Sequence, residues 1–331
     1  MDMNVGVLPR DVLDTLLMKL DGDVEASSLR FLRLPHPRTG IPSLFLPYKS
    51  SSRQTTTILE VQAIVPPNER SWIMSEGTII GDGKLLLMTP VDPAFLLIPI
   101  LRSIYLVDGS YGTFRPADDI LEDAMKTYFA SLGGTCAIKG DPSSQLSQSD
   151  LANLCSLDCV HTAMKRICEV KEITPEIIVF RYSPECVLEY LRGKVTKLWK
   201  PAILESSRTV VRGLAKDGLM EEGNEALLNS GHLKAACDLV SQYIPQDLHD
   251  ELQAFYDFAA LNAHLDANQK ELSALAASKM SNIEARESGK AVKADGKKRK
   301  GPTKGSHGVE KLKKVNTKGM AKLSSFFQKT A

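Results

Sequence analysis

The feature that most constrains the fold is a series of short β-rich runs in the first ninety residues, separated by Pro, Gly and Ser clusters. Such runs occur at Ser28–Leu34, Ser43–Tyr48 and Thr55–Val65, and apolar residues alternate along Leu59–Val65 as in a half-buried strand. Four or five strands of this kind form an incomplete barrel with an exposed edge, and exposed edges are normally paired or covered. Residues 1–92 are therefore predicted to form a β-rich module whose sheet a partner chain completes.

The stretch Ile79–Leu86 contains a Gly-Asp-Gly turn between two apolar segments. This pattern predicts a β-hairpin in which Gly81 and Gly83 supply the turn. Glycines at this spacing also suggest a phosphate-binding loop, but such loops lead directly into a helix and no helical pattern follows here. The turn is the preferred interpretation.

Residues 93–275 are predicted to form a helix-rich module. Asp92 is a suitable N-cap and Pro93 suits the first helical position, whereas Pro99 is expected to kink or end that helix within two turns. The other predicted elements are helices at Pro116–Leu132, around Leu157–Val170, from Ser183 through Lys200, at His232–Tyr243 and at Gln246–Phe258, with a short strand at Ile177–Tyr182.

Charge is distributed unevenly along the chain, although its formal net charge is only +1. Residues 286–331 carry fourteen Lys and Arg against three Asp and Glu, whereas residues 1–285 carry twenty-seven against thirty-seven. Apolar residues thin out beyond about Ala276, so residues 276–331 are expected to be a disordered basic tail. The acidic body argues against a protein that binds nucleic acid over its whole surface. It fits a component that binds a partner chain.

Several features bear on the cellular compartment. The six cysteines are scattered and no secretory signal is recognisable, so reduced thiols are expected. The most hydrophobic stretch, Leu85–Leu101, contains three prolines and an aspartate and is not expected to span a membrane. A compact basic cluster typical of nuclear import signals is formed by Lys297, Lys298, Arg299 and Lys300, although a solubilising run gives the same pattern. The expected location is the nucleus.

Near its C-terminal end the chain places Leu323 three positions before the pair Phe326-Phe327. One helical turn puts these three side chains on one side, and an exposed aromatic pair requires a partner's pocket. The pattern resembles the PCNA-interacting peptide (PIP box), Gln-x-x-Leu/Ile/Met-x-x-aromatic-aromatic, with Met320 in place of Gln. The missing amide hydrogen bond predicts a weak to moderate site for the DNA sliding clamp. Chance produces such patterns too, but a flexible basic tether favours clamp binding.

Longer runs carry a second resemblance. The most specific is Thr-Pro-Val-Asp-Pro-Ala-Phe-Leu-Leu within Leu85–Leu97. The supporting segments are Ser71–Met74, Gly112–Pro116, Arg181–Ser183 and Asp238–Leu248. Together with the clamp motif, these segments resemble, in the same order, the B subunits of eukaryotic type 2 ribonuclease H, from about position 28 to 331. The tether matches only in character, and Pro99 departs from the family pattern.

The resemblance implies a non-catalytic component of a three-chain enzyme. In that family the A chain carries the metal-binding carboxylates, while the B and C chains interlace strands into a shared β-barrel. The complex cuts the RNA strand of RNA–DNA hybrids and nicks at single ribonucleotides embedded in duplex DNA. The implied fold is α+β, with a partner-completed barrel, a helical region of winged-helix character and a clamp-binding tail. No cofactor is expected on this chain, and metal ions are expected only on the catalytic partner.

Acidic residues crowd the start of one predicted helix, at Asp118, Asp119, Glu122 and Asp123. Two-metal nucleases need carboxylates that converge on cations about 4 Å apart. Here helix capping and solvation are the preferred explanation.

The one metal-like cluster is Cys155, Cys159 and His161 with Cys168 downstream. Structural zinc normally uses tighter paired spacings, so packing of Cys155 and Cys159 one turn apart on a helix is preferred. His161 and His232 are interpreted as structural.

A basic stripe is predicted on the helix that ends near Lys200, near Trp199. Its members are Arg192, Lys194, Lys197 and Lys200. They could contact phosphates of RNA–DNA hybrid or duplex DNA, and a solvated helix face explains them equally well.

Three functions remain open at this stage. The first is a scaffold and tether for a nuclear ribonuclease that removes ribonucleotides from DNA, with A and C partner chains and the PCNA clamp. The second is a clamp-tethered DNA-binding adaptor of replication or repair without a nuclease partner. The third, and least favoured, is an autonomous enzyme.

Overall fold

The computed structural model describes residues 3–21, 30–49, 55–108, 112–132 and 146–291. The chain divides into two units, residues 1–269 and 270–331. The strands are β1 (Val5–Val7), β2 (Leu32–Pro35), β3 (Pro42–Lys49), β4 (Thr56–Ile64), β5 (Trp72–Ile73), β6 (Ile79–Ile80), β7 (Leu85–Val91), β8 (Cys168–Thr174) and β9 (Ile177–Tyr182). The helices are α1 (Arg10–Asp21), α2 (Pro93–Asp108), α3 (Ala117–Leu132), α4 (Gln148–Cys155), α5 (Asp158–Ile167), α6 (Pro184–Leu198), α7 (Pro201–Leu204), α8 (Arg208–Lys216), α9 (Glu225–Ser241), α10 (Gln246–Gln253) and α11 (Ala259–Ala291).

Five strands form one sheet in the order β1-β7-β4-β3-β2. All neighbours are antiparallel except β1, which runs parallel to β7 at the sheet edge. One face packs on α1, where Val12 meets Leu46, Tyr48 and Leu59 in a small core. The other face, which includes Phe45, joins the main core of helices. The α+β class and the β-rich opening segment predicted from the sequence are confirmed.

The prediction that buried and exposed residues alternate along β4 is wrong. Its first half is buried on both faces at Ile58, Leu59 and Glu60, whereas Gln62–Ile64 is exposed. The reason is that α1 and the helical core cover opposite faces of the same half of the sheet. Burial therefore changes along the strand rather than across it.

The hairpin predicted at Ile79–Leu86 is also wrong. β6 pairs with β5, while β7 pairs with β4 and β1. The reversal between β5 and β6 uses Gly77, whose φ of 81° lies in the left-handed region that favours glycine. Gly83 has another role, since a Cβ there would clash with the backbone carbonyl of Arg70.

Helix α2 begins at Pro93 as predicted, with the amide of Ala94 donating to Asp92 Oδ1 at 3.1 Å. The helix does not end at Pro99 but continues to Asp108. The flanking residues Leu96–Ile98 and Ile100–Leu101 are buried, so packing on both sides compensates for the hydrogen bond that proline cannot make. This buried helix connects the sheet to the helical region.

The central helical region is a winged helix. Helices α3, α4 and α5 are followed by the β8–β9 hairpin, and a bridge between Arg115 and Phe180 adds a third short extended segment beside β9. The sequence prediction missed α4 and β8, because a polar segment was expected at 140–150 and a helix through Val170. The chain instead leaves the helix at Cys168, where the buried face of α5 ends.

The remaining helices follow the prediction in part. Helix α6 lies at the predicted place, whereas α9 begins at Glu225 rather than His232 and α10 ends at Gln253 rather than Phe258. Helices α1, α7 and α8 were missed. Helix α11 continues to Ala291, past position 276 where the basic tail was expected to begin. Residues 270–278 are exposed, and their Ala, Leu, Glu and Lys content favours helix without a buried face. No helix in the described part of the chain is long and apolar enough to cross a bilayer.

Candidate binding surfaces and the junction of sheet and helices

The β1 edge of the sheet is open. Within the described residues no strand lies on the outer side of β1, which is only three residues long. The register places Val5 opposite Leu85 and Leu85 opposite Ile64. Strand β1 therefore lies at the same level of the sheet as the exposed half of β4. A three-residue edge strand with unpaired backbone groups is a suitable place for another chain to pair.

Exposed apolar side chains lie on the elements around this edge. The β5–β6 partners Ile73 and Ile79 face each other across the ribbon and are 79% and 66% exposed. Other large apolar residues exposed on or next to β1, α1, the end of β4 and the β5–β6 ribbon are Met3, Val7, Leu13, Leu17, Ile64, Val65 and Met74, while Phe31 and Ile41 are exposed near the β2 edge. Concentrated exposure of this kind marks a protein-binding surface better than scattered single residues do. We call the residues around the β1 edge the apolar belt.

The opposite edge, β2, is closed by a side chain. The backbone amide of Arg33 donates to Asp150 Oδ2 at 3.0 Å, and Arg30 Nη2 donates to Oδ1 at 2.8 Å. Asp150 lies in the first turn of α4, where the helix dipole favours a carboxylate. Among the described residues, helix α4 thus contacts the β2 edge of the sheet, whereas no strand lies beside β1.

Asp92 connects the sheet to two helices of the winged-helix region. Its carboxylate accepts hydrogen bonds from Arg166 at 2.7 and 2.8 Å and from Lys194 at 2.6 Å. Burial alone would raise the pKa of Asp92, but these two cations and the amide of Ala94 hold it well below its usual range. The same two cations also lie 5.6 and 5.3 Å from the ring centre of Tyr190. Asp92 thus stays charged in a mostly buried place.

A second junction joins β4 to the end of α9. Glu60, 2% exposed, accepts a hydrogen bond from Tyr243 Oη at 2.6 Å and one from Gln62 Nε2 at 3.0 Å. Burial and the bond to Glu60 raise the pKa of Tyr243. The ring of His36 lies 5.6 Å from that of Tyr243, and burial lowers the pKa of His36 although Glu60 opposes this effect. Sequence reasoning missed both junctions, and only the Asp-Pro pair marked Asp92.

The structure does not assemble the four predicted basic residues into one stripe. At 3.6 residues per turn, Arg192 and Lys194 lie about 160° apart on α6. Lys194 is engaged by Asp92, and the guanidinium of Arg192 lies 5.0 Å from the ring centre of Phe255. Lys197 and Lys200 are exposed, and no described carboxylate lies within 4 Å of them. Contact of these residues with phosphates stays a prediction.

The predicted metal-like cluster is divided between two helices. Cys155 ends α4 and Cys159 lies in α5, so they are not one turn apart on one helix as expected. Burial raises the pKa of Cys155 to about 12 and that of Cys159 to about 11. In the described ranges no three His, Cys, Asp or Glu side chains gather as metal ligands.

The acidic cluster at the start of α3 is distributed among local contacts. Asp118 and Asp119 lie in the first turn, Asp123 pairs with Arg115, and Glu122 pairs with Lys126 one turn later. These contacts agree with capping and solvation as the explanation of the cluster.

The second helix of the helix-turn-helix, α5, faces the protein. Asp158, Thr162 and Arg166 line a groove of about 490 Å³ whose other wall is Thr55–Ile58. In DNA-reading proteins this helix enters the major groove. Here strand β4 and the pair with Asp92 occupy part of that face. The predicted clamp motif (Met320, Leu323, Phe326 and Phe327) and import cluster (Lys297, Lys298, Arg299 and Lys300) lie outside the described residues.

Comparison with protein families decides the relationship. Residues 7–92 match the triple barrel domain of the Ydr279p protein family, and residues 95–253 match the winged helix-turn-helix domain of the same family, an RNase H2 complex component. The chain belongs to the family of RNase H2 B subunits. It is 27% identical to the B subunit of ribonuclease H2 from Xenopus laevis, over 91% of this chain and 86% of the frog protein. It is 25% identical to the human B subunit, over 91% of this chain and 86% of that protein.

Membership in this RNase H2 family accounts for the two-part fold. The triple-barrel match ends at residue 92 and the winged-helix match begins at residue 95, on either side of the start of α2. Asp92 therefore lies at the junction between the two family domains. The chain is a component of an RNase H2 complex by family.

Proposed function

We propose that this chain is the non-catalytic scaffold and tether of a heterotrimeric ribonuclease. The complex would cleave RNA in RNA–DNA hybrids and nick at single ribonucleotides embedded in DNA. The barrel module would hold a C subunit and, through it, the catalytic A subunit with its metal ions. This role agrees with the family membership and with the acidic side chains of α3, which are engaged in local contacts rather than gathered at one point.

The observation that carries the proposal is the open β1 edge beside the apolar belt. A partner that adds strands at β1 gains backbone hydrogen bonds, and its side chains cover apolar residues such as Ile73 and Ile79. Burial of apolar area contributes roughly 25 cal/mol per Å², so covering the apolar belt would favour association.

The tail supplies the second part of the proposal. Leu323, Phe326 and Phe327 would dock in the hydrophobic pocket of the PCNA sliding clamp, and the basic cluster from Lys297 to Lys300 would direct nuclear import. Tail lysines would add electrostatic steering toward an acidic clamp surface. The complex would then work at replication and repair sites in the nucleus.

Recovery of the tagged chain from cells tests the scaffold role. The wild-type chain should return two other subunits in equimolar amounts, and Ile73→Asp with Ile79→Asp should lose them while the chain stays folded. Met220→Asp is the matched control, because Met220 is an exposed apolar residue outside the belt. Recovery of a lone, monodisperse wild-type chain would overturn the proposal.

A further inference from the structure

Helix α8 carries a row of exposed cations on one side. Arg208, Arg212 and Lys216 follow one another at i, i+4 and i+8, and all three are exposed. The packed side of the helix is formed by Leu214, which is buried, and by half-buried Val210. With 3.6 residues per turn, the cations cover about 80° of the helix surface, centred roughly opposite the buried side. The row therefore faces solvent.

Part of this arrangement is unfavourable for α8 itself, although Lys216 in the last turn suits the helix dipole. Arg208 lies in the first turn, which contains no acidic residue, and a cation there opposes the helix dipole. The successive pairs Arg208–Arg212 and Arg212–Lys216 place like charges at i, i+4 spacing, which is also destabilising. A mixed set of acidic and basic residues would keep this helix face solvated equally well. The row therefore points to an external anion.

The cations of this surface have no carboxylate partner among the described residues. In the same unit, ion pairs are formed by Arg30, Arg102, Arg115, Arg166, Arg181 and Lys194, whereas exposed cations such as Lys165 and Lys171 form none among the described residues. Lys197 and Lys200, which precede α8 in the sequence, are likewise exposed and have no described carboxylate within 4 Å. Residues 197–216 contain five basic residues and one acidic residue, Glu205, in a body whose net charge is negative.

The usual reading surface of a helix-turn-helix is partly covered here. Helix α5 faces strand β4, and Arg166 is held by Asp92. A nucleic acid that binds the winged-helix region would therefore contact another surface of it. Helix α8 offers cations at intervals of about 6 Å along its axis. Gly213, which follows Arg212 in the sequence, adds no side chain beside them.

We infer that α8 binds the phosphate backbone of the nucleic-acid duplex on which the complex acts. The contact is independent of sequence and weakens with salt, since it rests on counterion release. It positions the duplex and takes no part in bond cleavage. The inference rests on the proposed role in a ribonuclease complex.

The test uses the assembled three-chain complex and a short DNA duplex with one embedded ribonucleotide, in chelator so that no cleavage occurs. Variant one replaces Arg208, Arg212 and Lys216 with Gln. The matched control replaces Lys165 on α5 and Lys171 on the wing with Gln, since both are exposed cations on the surface that winged helices commonly present. Fluorescence anisotropy across salt concentrations gives the affinity and its salt slope, and size-exclusion chromatography confirms assembly.

Loss of three phosphate contacts should reduce the salt slope by about 2.7, which makes the affinity loss between about 50 and 200 mM salt roughly 40-fold smaller than in wild type. The control should match wild type. A wild-type slope in an intact α8 variant, or an equal reduction in the control, would overturn the inference. So would loss of a protein partner with no change in duplex binding, which would assign the row to an acidic protein surface. Failure of the wild-type chain to assemble would instead refute the proposed function.

Discussion

Tyr243 donates its phenolic hydrogen to the buried carboxylate of Glu60 at 2.6 Å, so the end of α9 is fixed to the middle of β4. The two residues are 183 positions apart in sequence, and they connect the sheet with the last part of the winged-helix domain. A buried carboxylate needs such donors, because leaving it without them carries a desolvation cost.

The first prediction concerns this bond. Tyr243→Phe should lower the free energy of unfolding by about 1–3 kcal/mol, because Glu60 then loses its strongest neutral donor. Urea unfolding measures the change. Glu60→Gln and the double variant complete a double-mutant cycle, and additive effects would show that the two side chains are not coupled.

The second prediction concerns Asp92 and pH. Asp92→Asn should cost about 2 kcal/mol at neutral pH, since Arg166 and Lys194 lose their anion and both are partly exposed. The folded-state pKa of Asp92 is depressed, so its contribution is complete above the unfolded pKa of about 4 and shrinks progressively as pH falls from there toward the folded-state pKa. Wild type and variant should therefore converge in stability in acid.

Thermal melts from neutral pH down to about pH 2 test this convergence. Asp266→Asn is the control, because Asp266 is an exposed carboxylate within α11 and beyond its first turn. A constant gap between wild type and Asp92→Asn at every pH would contradict the account of this junction.

The third prediction contrasts two glycines. Gly83→Ala should destabilise the barrel module by about 1–3 kcal/mol, because the added Cβ meets the carbonyl of Arg70. Gly213→Ala should stabilise by about 0.5–1 kcal/mol, since it lies within α8 and nothing occupies the space around its Cβ. Equal effects of the two changes in chemical denaturation would refute this interpretation.

The fourth prediction concerns the clamp motif. Replacing Phe326 and Phe327 with Ala should abolish binding to PCNA, because the aromatic pair supplies most of the apolar contact. Ribonucleotide cleavage by the purified complex should remain unchanged, and surface plasmon resonance together with a cleavage assay tests both. Lys329→Arg, which keeps the positive charge, is the matched control. Collapse of cleavage in the Phe variants would reveal a catalytic role for the tail.

Local signals in the sequence predicted much of the fold. Asp92-Pro93 and Ser183-Pro184 marked helix starts because capping and proline preferences act over a few residues. Strands β2, β3 and β4 were found between their turn-forming neighbours. Pairing was not predictable in the same way. The β5–β6 ribbon and the parallel β1–β7 pair depend on contacts between distant segments.

The candidate surfaces were predicted less well, for a physical reason. Glu60 looked like a residue on the solvent side of a strand, because only its donors from α9 and β4 make its burial acceptable. Arg192 and Lys194 were predicted to lie in one stripe, but two residues of helix turn their side chains to nearly opposite sides of α6. The i, i+4, i+8 spacing of Arg208, Arg212 and Lys216 was readable in the sequence, but α8 itself was missed.

The central claim is that this chain holds a ribonuclease complex together and does not itself cleave nucleic acid. The most direct measurement is cleavage of a duplex with one embedded ribonucleotide by the purified chain alone, by its two partners without it, and by all three together. The account predicts cleavage only when the chain is present with both partners. Cleavage by the isolated chain, or full cleavage by the partners without it, would contradict the account.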